Sequence, residues 1–225
     1  MTAVPRQLAL ALEHAESFSR EDFLSGTCNA AALALVERWP DWPNRSVVIV
    51  GPEGAGKSHL GAIWAQAAGA RIVAARRLGE VDPLRALATG ALLVEDLDAG
   101  TLDERALFHL MNLVREEHAF LLITARVAPT TMRLAVPDLA SRLRAVPSVT
   151  LTAPDDALLQ ALLVKLAADR QLTLGDDLIR YLMPRIERSF AGARVALARL
   201  DEEAMRRQRP LTRALASELF RQAPE

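Results

Sequence analysis

The segment Gly51-Pro52-Glu53-Gly54-Ala55-Gly56-Lys57-Ser58 fits the pattern G-x-x-x-x-G-K-[ST] without a mismatch. It follows Val47-Val48-Ile49-Val50, a β-branched run of the kind a buried parallel strand shows, and it opens a helical pattern over residues 57–68. A strand that enters a Gly-rich turn and leaves in a helix commits the chain to a parallel sheet covered by helices. The glycines let backbone N–H groups converge on phosphate oxygens where a side chain would clash. The helix N-terminus adds its positive end. Gly51, Pro52, Gly54, Ala55, Gly56, Lys57, Ser58 and His59 are therefore candidate nucleotide contacts. Lys57 would reach the β- and γ-phosphates, and Ser58 would ligate Mg²⁺.

Four further short apolar runs read as strands: Ile72-Val73-Ala74, Ala91-Leu92-Leu93-Val94, Phe120-Leu121-Leu122-Ile123 and Val149-Thr150-Leu151. Helical patterns separate the later ones, and another at 30–39 precedes the first strand and is stopped by Pro40. In the pattern at 103–118, Ala106, Leu110, Leu113 and Val114 share one face. The expected fold is α/β with a five-stranded parallel sheet. After Pro154 only helical patterns remain, at 155–170, 176–186, 191–208 and 212–220, with Asp155 and Thr212 as candidate N-caps. The expected organisation is a flexible arm over 1–20, an α/β nucleotide-binding domain over 21–153, and an all-helical lid over 154–225.

Hydrophobic residues make up 51% of the 225 residues, enough for a sizeable core. The net charge of −1 gives no bulk signal for nucleic-acid binding. Among 27 basic residues only Lys57 and Lys165 are lysines, and Lys57 falls in the phosphate motif. A single cysteine, Cys28, excludes an internal disulfide and fits a reducing compartment. No apolar run approaches the roughly 18 residues of a membrane span. The stretch Leu8–Leu12 is too short for a signal sequence, so a cytoplasmic protein is expected.

A phosphate loop needs a carboxylate at the end of a neighbouring strand. Glu95 and Asp96 close the Ala91–Val94 run, one to hold Mg²⁺ and its neighbour to orient the attacking water, with Asp98 as a further candidate. Thr124 ends the Phe120–Ile123 run, either sensing the γ-phosphate or serving as an ordinary strand-end threonine.

This order of motifs resembles the AAA+ ATPases, and within them the Hda/DnaA-related family, over nearly the whole chain from about residue 7. Phe18, Phe23, Gly26 and Asn29 match the segment that lies beside the adenine in that family. Leu139-Ala140-Ser141-Arg142-Leu143 looks like its arginine-finger helix, which implies that Arg142 acts on nucleotide held by a neighbouring molecule. Thr124 falls at the sensor-1 strand tip and Arg194 at the sensor-2 position of the lid. Gln7-Leu8-Ala9-Leu10-Ala11-Leu12 is similar to the peptide that docks on the DNA polymerase III sliding clamp, with Gln7, Leu8, Leu10 and Leu12 as anchors. The sequence ends after the lid, where the initiator carries its DNA-reading domain, so no sequence-specific DNA binding is expected. Two features depart from the family: Glu95-Asp96 replaces paired aspartates, and Arg144-Ala145-Val146 replaces an aromatic-glycine continuation.

The resemblance implies a regulator, associated with the nucleoid or replisome, that binds ADP or ATP with Mg²⁺ and the sliding clamp. It would promote hydrolysis of DnaA-bound ATP while its own turnover is weak, and it would act alone or as a homo-oligomer. Two rival readings stand beside it. One is a nucleotide-dependent adaptor that recruits factors to DnaA without triggering hydrolysis. The other is a loader of a helicase or transposase.

Overall fold

All five residues of the strand β1 (Ser46–Val50) are buried, and their side chains alternate between two hydrophobic layers. Val47 and Ile49 pack with Leu33, Leu60, Ile63 and Trp64, whereas Val48 and Val50 pack with Leu107, Leu110, Leu139 and Leu143. A strand apolar on both faces needs cover on both, which is why the β-branched run belongs to the middle of a sheet. The computed structural model describes residues 18–97 and 102–220. The clamp-like peptide with Gln7, Leu8, Leu10 and Leu12, most of the expected arm, and Asp98 lie outside the described residues.

The first unit runs from Phe18 to Asp155. β1 is joined by β2 (Arg71–Ala74), β3 (Ala91–Glu95), β4 (Phe120–Ala125) and β5 (Ser148–Thr150) in the order β2-β3-β4-β1-β5, all parallel. Helices α1 (Ala30–Glu37) and α2 (Lys57–Ala68) cover one face. The other face is covered by α3 (Pro83–Ala86), α4 (Glu104–Glu116) and α5 (Pro137–Ala145). The chain leaves β1 across the α2 face to the sheet edge and returns through β3, β4 and β5 across the opposite face. The loop after β1 thus lies where the strand order reverses, the place where open parallel sheets bind ligands.

Some details differ from the sequence expectation. The first helix stops at Glu37, short of Trp39. The fifth strand begins at Ser148 and ends at Thr150, one residue earlier than its apolar pattern suggests. On α4 the buried positions are Leu107, Leu110, Leu113 and Val114, with Ala106 only partly buried, because the leucine at 107 offers more apolar surface to the sheet. A 3-10 turn at Ala75–Glu80 and the short α3 were not legible as periodic segments.

The second unit, from Asp156, is helical throughout its described residues. It contains α6 (Asp156–Asp169), α7 (Asp176–Leu182), α8 (Phe190–Arg207) and α9 (Arg213–Phe220). α6 packs on α8, and α9 packs on both α7 and α8. Leu159, Leu163, Leu182, Leu197, Leu200 and Leu215 are wholly buried. Thr212 caps α9, its hydroxyl accepting from the Leu215 N–H at 3.3 Å. No helix among the described residues is long and apolar enough to cross a membrane.

Candidate functional site

The turn after β1 is shaped by two glycines in the left-handed region, Gly54 at φ 73° and Gly56 at φ 95°. A side chain at either position would be strained, which keeps the backbone of the loop close to whatever it wraps. Gly51 is required for packing instead: a Cβ there would lie 2.9 Å from Leu151 Cβ. The Gly51 N–H donates to the Ala125 carbonyl at 3.0 Å and ties the start of the loop to the tip of β4. Lys57 opens α2 and is only 6% exposed. Its ammonium donates to the carbonyls of Gly51 and Pro52, each at 2.8 Å, so the charge is held over the loop. Ser58 follows on the first turn, exposed, where the helix end carries its positive pole.

His59 adds a contact to the N-terminal side. Its Nε2 lies 2.8 Å from the Ser19 carbonyl, and its ring meets Phe18 and Phe23 edge-on at 5.4 and 5.2 Å. With the imidazole so engaged, the part of His59 suited to a phosphate is its main-chain N–H. Asn29 closes the same segment, accepting from Gly26 N–H at 2.8 Å and donating to the Leu24 carbonyl at 3.0 Å. Phe23 borders the loop, 3.8 Å from where a Cβ on Gly56 would stand.

Glu95 ends β3 half-buried, and Asp96 follows it, exposed and at φ 55°. Thr124, fully buried on β4, holds this turn from both of its polar groups. Its hydroxyl accepts from the Asp96 N–H at 3.0 Å, and its carbonyl accepts from the Leu97 N–H at 2.8 Å. Because β4 lies between β3 and β1, its tip separates the acidic pair from the phosphate loop. Gly51 to His59, Glu95, Asp96 and Thr124 are thereby gathered at the C-terminal edge of one sheet. Arg126, one residue past β4, was missed in the sequence. Its Nη2 lies 3.2 Å from Glu53 Oε2 on the loop itself. The only signal for it was a cation next to a strand tip.

Arg142 lies elsewhere. Glu104 fixes the start of its helix, accepting from Ala135 and Val136 N–H at 2.9 and 2.7 Å. The Arg142 guanidinium donates to Asn112 Oδ1 and sits 4.9 Å from the Phe108 ring centroid, both on α4. It shares a cavity with Asn44, Arg45 and Ser46, the residues that lead into β1. Arg142 is therefore at the N-terminal edge of the sheet, and the five residues of β1 span roughly 17 Å from there to the loop. Arg194 belongs to the second unit, half-buried near the start of α8. Ser189 caps that helix, accepting from Gly192 N–H at 2.8 Å.

A parallel sheet in this strand order, with the phosphate loop after its central strand and an acidic pair two strands away, defines a P-loop ATPase fold of the AAA+ class. Solved structures agree. Domain III of DnaA from Thermotoga maritima matches with TM-score 0.78 at 17% identity over 91% of this chain and 95% of that one. AMPPCP-bound DnaA from Aquifex aeolicus matches with TM-score 0.65 at 17% identity over 85% and 69%. The RuvB branch-migration motor of Thermotoga maritima matches with TM-score 0.69 at 15% identity over 91% and 72%. The family model described as the Hda lid domain matches residues 155–218, which is nearly all of the second unit. The fold is thus that of the AAA+ domains of DnaA and RuvB, and the second unit resembles the lid of Hda.

Proposed function

We propose that this chain regulates the initiation of chromosome replication by binding an adenine nucleotide and completing, with Arg142, the ATP site of DnaA. The observation that carries the reading is the place of Arg142. A guanidinium at the sheet edge opposite its own phosphate loop is badly placed for its own nucleotide and well placed for one on another molecule. A fixed positive charge brought to the developing charge on a γ-phosphate is an established catalytic device. The Hda-type lid supports DnaA as that molecule.

The loop fits a nucleotide triphosphate or diphosphate. Two glycines at positive φ keep the backbone bare, and Lys57 is held over the turn. Mg²⁺ suits the oxygen donors present, the Ser58 hydroxyl with Glu95 or Asp96. Bound Mg²⁺ would neutralise phosphate charge. The longer side chain of Glu95 places its carboxylate further out than an aspartate would, and weak turnover of the chain's own nucleotide follows. AMPPCP on the Aquifex aeolicus DnaA supports an adenine nucleotide here. Arg194, at the sensor-2 position the resemblance implies, is a further candidate nucleotide contact. Gln7, Leu8, Leu10 and Leu12 would dock on the sliding clamp and bring the regulator to DNA.

The test is ATP turnover in a mixture of this chain, ATP-loaded DnaA and sliding clamp. The reading predicts faster turnover than DnaA shows alone. An unchanged rate leaves the adaptor as the better account. Clamp pull-down with Gln7→Ala is expected to fail, and unchanged capture would remove the peptide from the account.

A further inference from the structure

The third residue of the phosphate loop is a carboxylate, Glu53, in a turn whose backbone suits phosphate. Lys57, the cation that reaches the β- and γ-phosphates in loops of this pattern, donates to the carbonyls of Gly51 and Pro52. The main-chain N–H groups further along the loop and at the start of α2 suit the α- and β-phosphates. Glu53 directly follows Pro52, so its side chain leaves the backbone at the end of the loop that serves a terminal phosphate. Arg126, one residue past β4, supplies a counter-charge, its Nη2 lying 3.2 Å from Glu53 Oε2. The pairing of β1 with β4 brings the two together, since Val50 at the end of β1 is level with Ala125. The pair is exposed, with 49% of the Arg126 side chain and 78% of the Glu53 side chain open to water, so it adds little to the stability of the fold.

We infer that Glu53 and Arg126 together set how strongly the site distinguishes a nucleoside triphosphate from a diphosphate. The inference rests on the nucleotide reading of the loop proposed above. A terminal phosphate brings further negative charge close to the Glu53 carboxylate, a repulsion that a diphosphate largely escapes by ending one group short. Arg126 opposes it from the neighbouring strand: its guanidinium offsets the carboxylate, and its donors match phosphate oxygens. Two opposite charges thus bear on the one group by which the two nucleotides differ. Specificity is a difference of affinities, and a repulsive element shapes it as much as an attractive one does. Because the ion pair is exposed and weak, exchanging carboxylate for phosphate as a partner of Arg126 costs little. Bracing the loop does not require the pair, since the Gly51 N–H already ties it to the Ala125 carbonyl at 3.0 Å. A pair that only braced the loop would also act on both nucleotides alike.

The experiment is equilibrium binding of ADP and of AMPPCP, each with Mg²⁺, to the full chain by titration calorimetry, read as the ratio of the two affinities. Glu53→Gln removes the repulsion and is expected to move the ratio towards AMPPCP by about fivefold. Arg126→Gln leaves the carboxylate unopposed and is expected to move it towards ADP by about the same factor. Arg126→Lys keeps the charge and should restore most of the wild-type ratio. Raising the salt from about 0.1 to 1 M should shrink both shifts, because the groups are exposed and screened. Glu53→Gln alone, at an exposed position of the loop, keeps the inference testable should an Arg126 variant fail to fold. Ratios unchanged in the variants, or equal changes in ADP and AMPPCP affinity, overturn the inference and leave nucleotide binding in place. A wild-type chain that binds neither nucleotide overturns the reading of the loop itself, and the inference with it.

Discussion

Thr124 shows how one side chain links the sheet to its acidic pair. Its hydroxyl is the acceptor for the Asp96 N–H, and its own carbonyl holds Leu97. Thr124→Val keeps the shape but leaves that amide without its acceptor, at a cost of about 1–3 kcal/mol, measurable by urea denaturation. Thr124→Ser restores the acceptor and is expected to lie close to wild type. Equal losses in both variants would mean that the methyl group, and not the hydroxyl, carries the effect. Cys28 gives a second check at this scale. Burial pushes its thiol above the ordinary value, and the Asp155 charge adds to the shift against an opposing main-chain hydrogen bond. A raised pKa means less thiolate at a given pH. Alkylation by iodoacetamide at pH 8 should therefore be slower in the folded chain than in urea, with its rise displaced to higher pH. Lys57 and Ser58 were legible in the sequence because their chemistry is carried by spacing within eight residues. The Arg126–Glu53 pair was not, because its members are far apart in the chain and meet only through the β1–β4 pairing.

Among the elements, strands buried on both faces were the most legible, since β-branched and leucine runs have no competing helical period. The edges were harder to read. Ser148–Thr150 is half exposed, and its apolar pattern placed it one residue late. The stretch Ala75–Glu80 shows no apolar period and forms a 3-10 turn. Hydrogen bonds to the chain that enters a helix also help to place it. Glu104 brackets the start of α5 with two hydrogen bonds, so Glu104→Ala should loosen the helix that carries Arg142, at a cost on the order of 1 kcal/mol. Faster hydrogen exchange at Ala140 and Leu143, with α2 unchanged, is the expected reading. In the second unit, a Cβ at Gly192 would stand 2.4 Å from the Glu187 carbonyl oxygen. Gly192→Ala must push backbone against backbone and is expected to lower stability by about 1–3 kcal/mol. A stability equal to wild type in thermal unfolding would contradict that close approach.

At the scale of the whole molecule, the sheet separates two kinds of chemistry. Its C-terminal edge gathers the phosphate loop, Glu95, Asp96 and Thr124, and its N-terminal edge carries Arg142 with Arg45. The order β2-β3-β4-β1-β5 that creates this separation was not legible, because it depends on which distant strands pair. The division between an α/β part and a helical lid was legible, from the loss of strand patterns after Pro154. The two edges are expected to fail independently. Lys57→Ala should weaken ADP binding at least about tenfold, by removing the ammonium from the β-phosphate, while leaving the Arg142 edge folded. The central claim is tested most directly by single-turnover hydrolysis of ATP on DnaA in the presence of sliding clamp, comparing the wild-type chain with Arg142→Ala. Stimulation by the wild-type chain and its loss by about 100-fold or more in the variant, with clamp capture unchanged, is the predicted result. Full stimulation by Arg142→Ala would contradict the account.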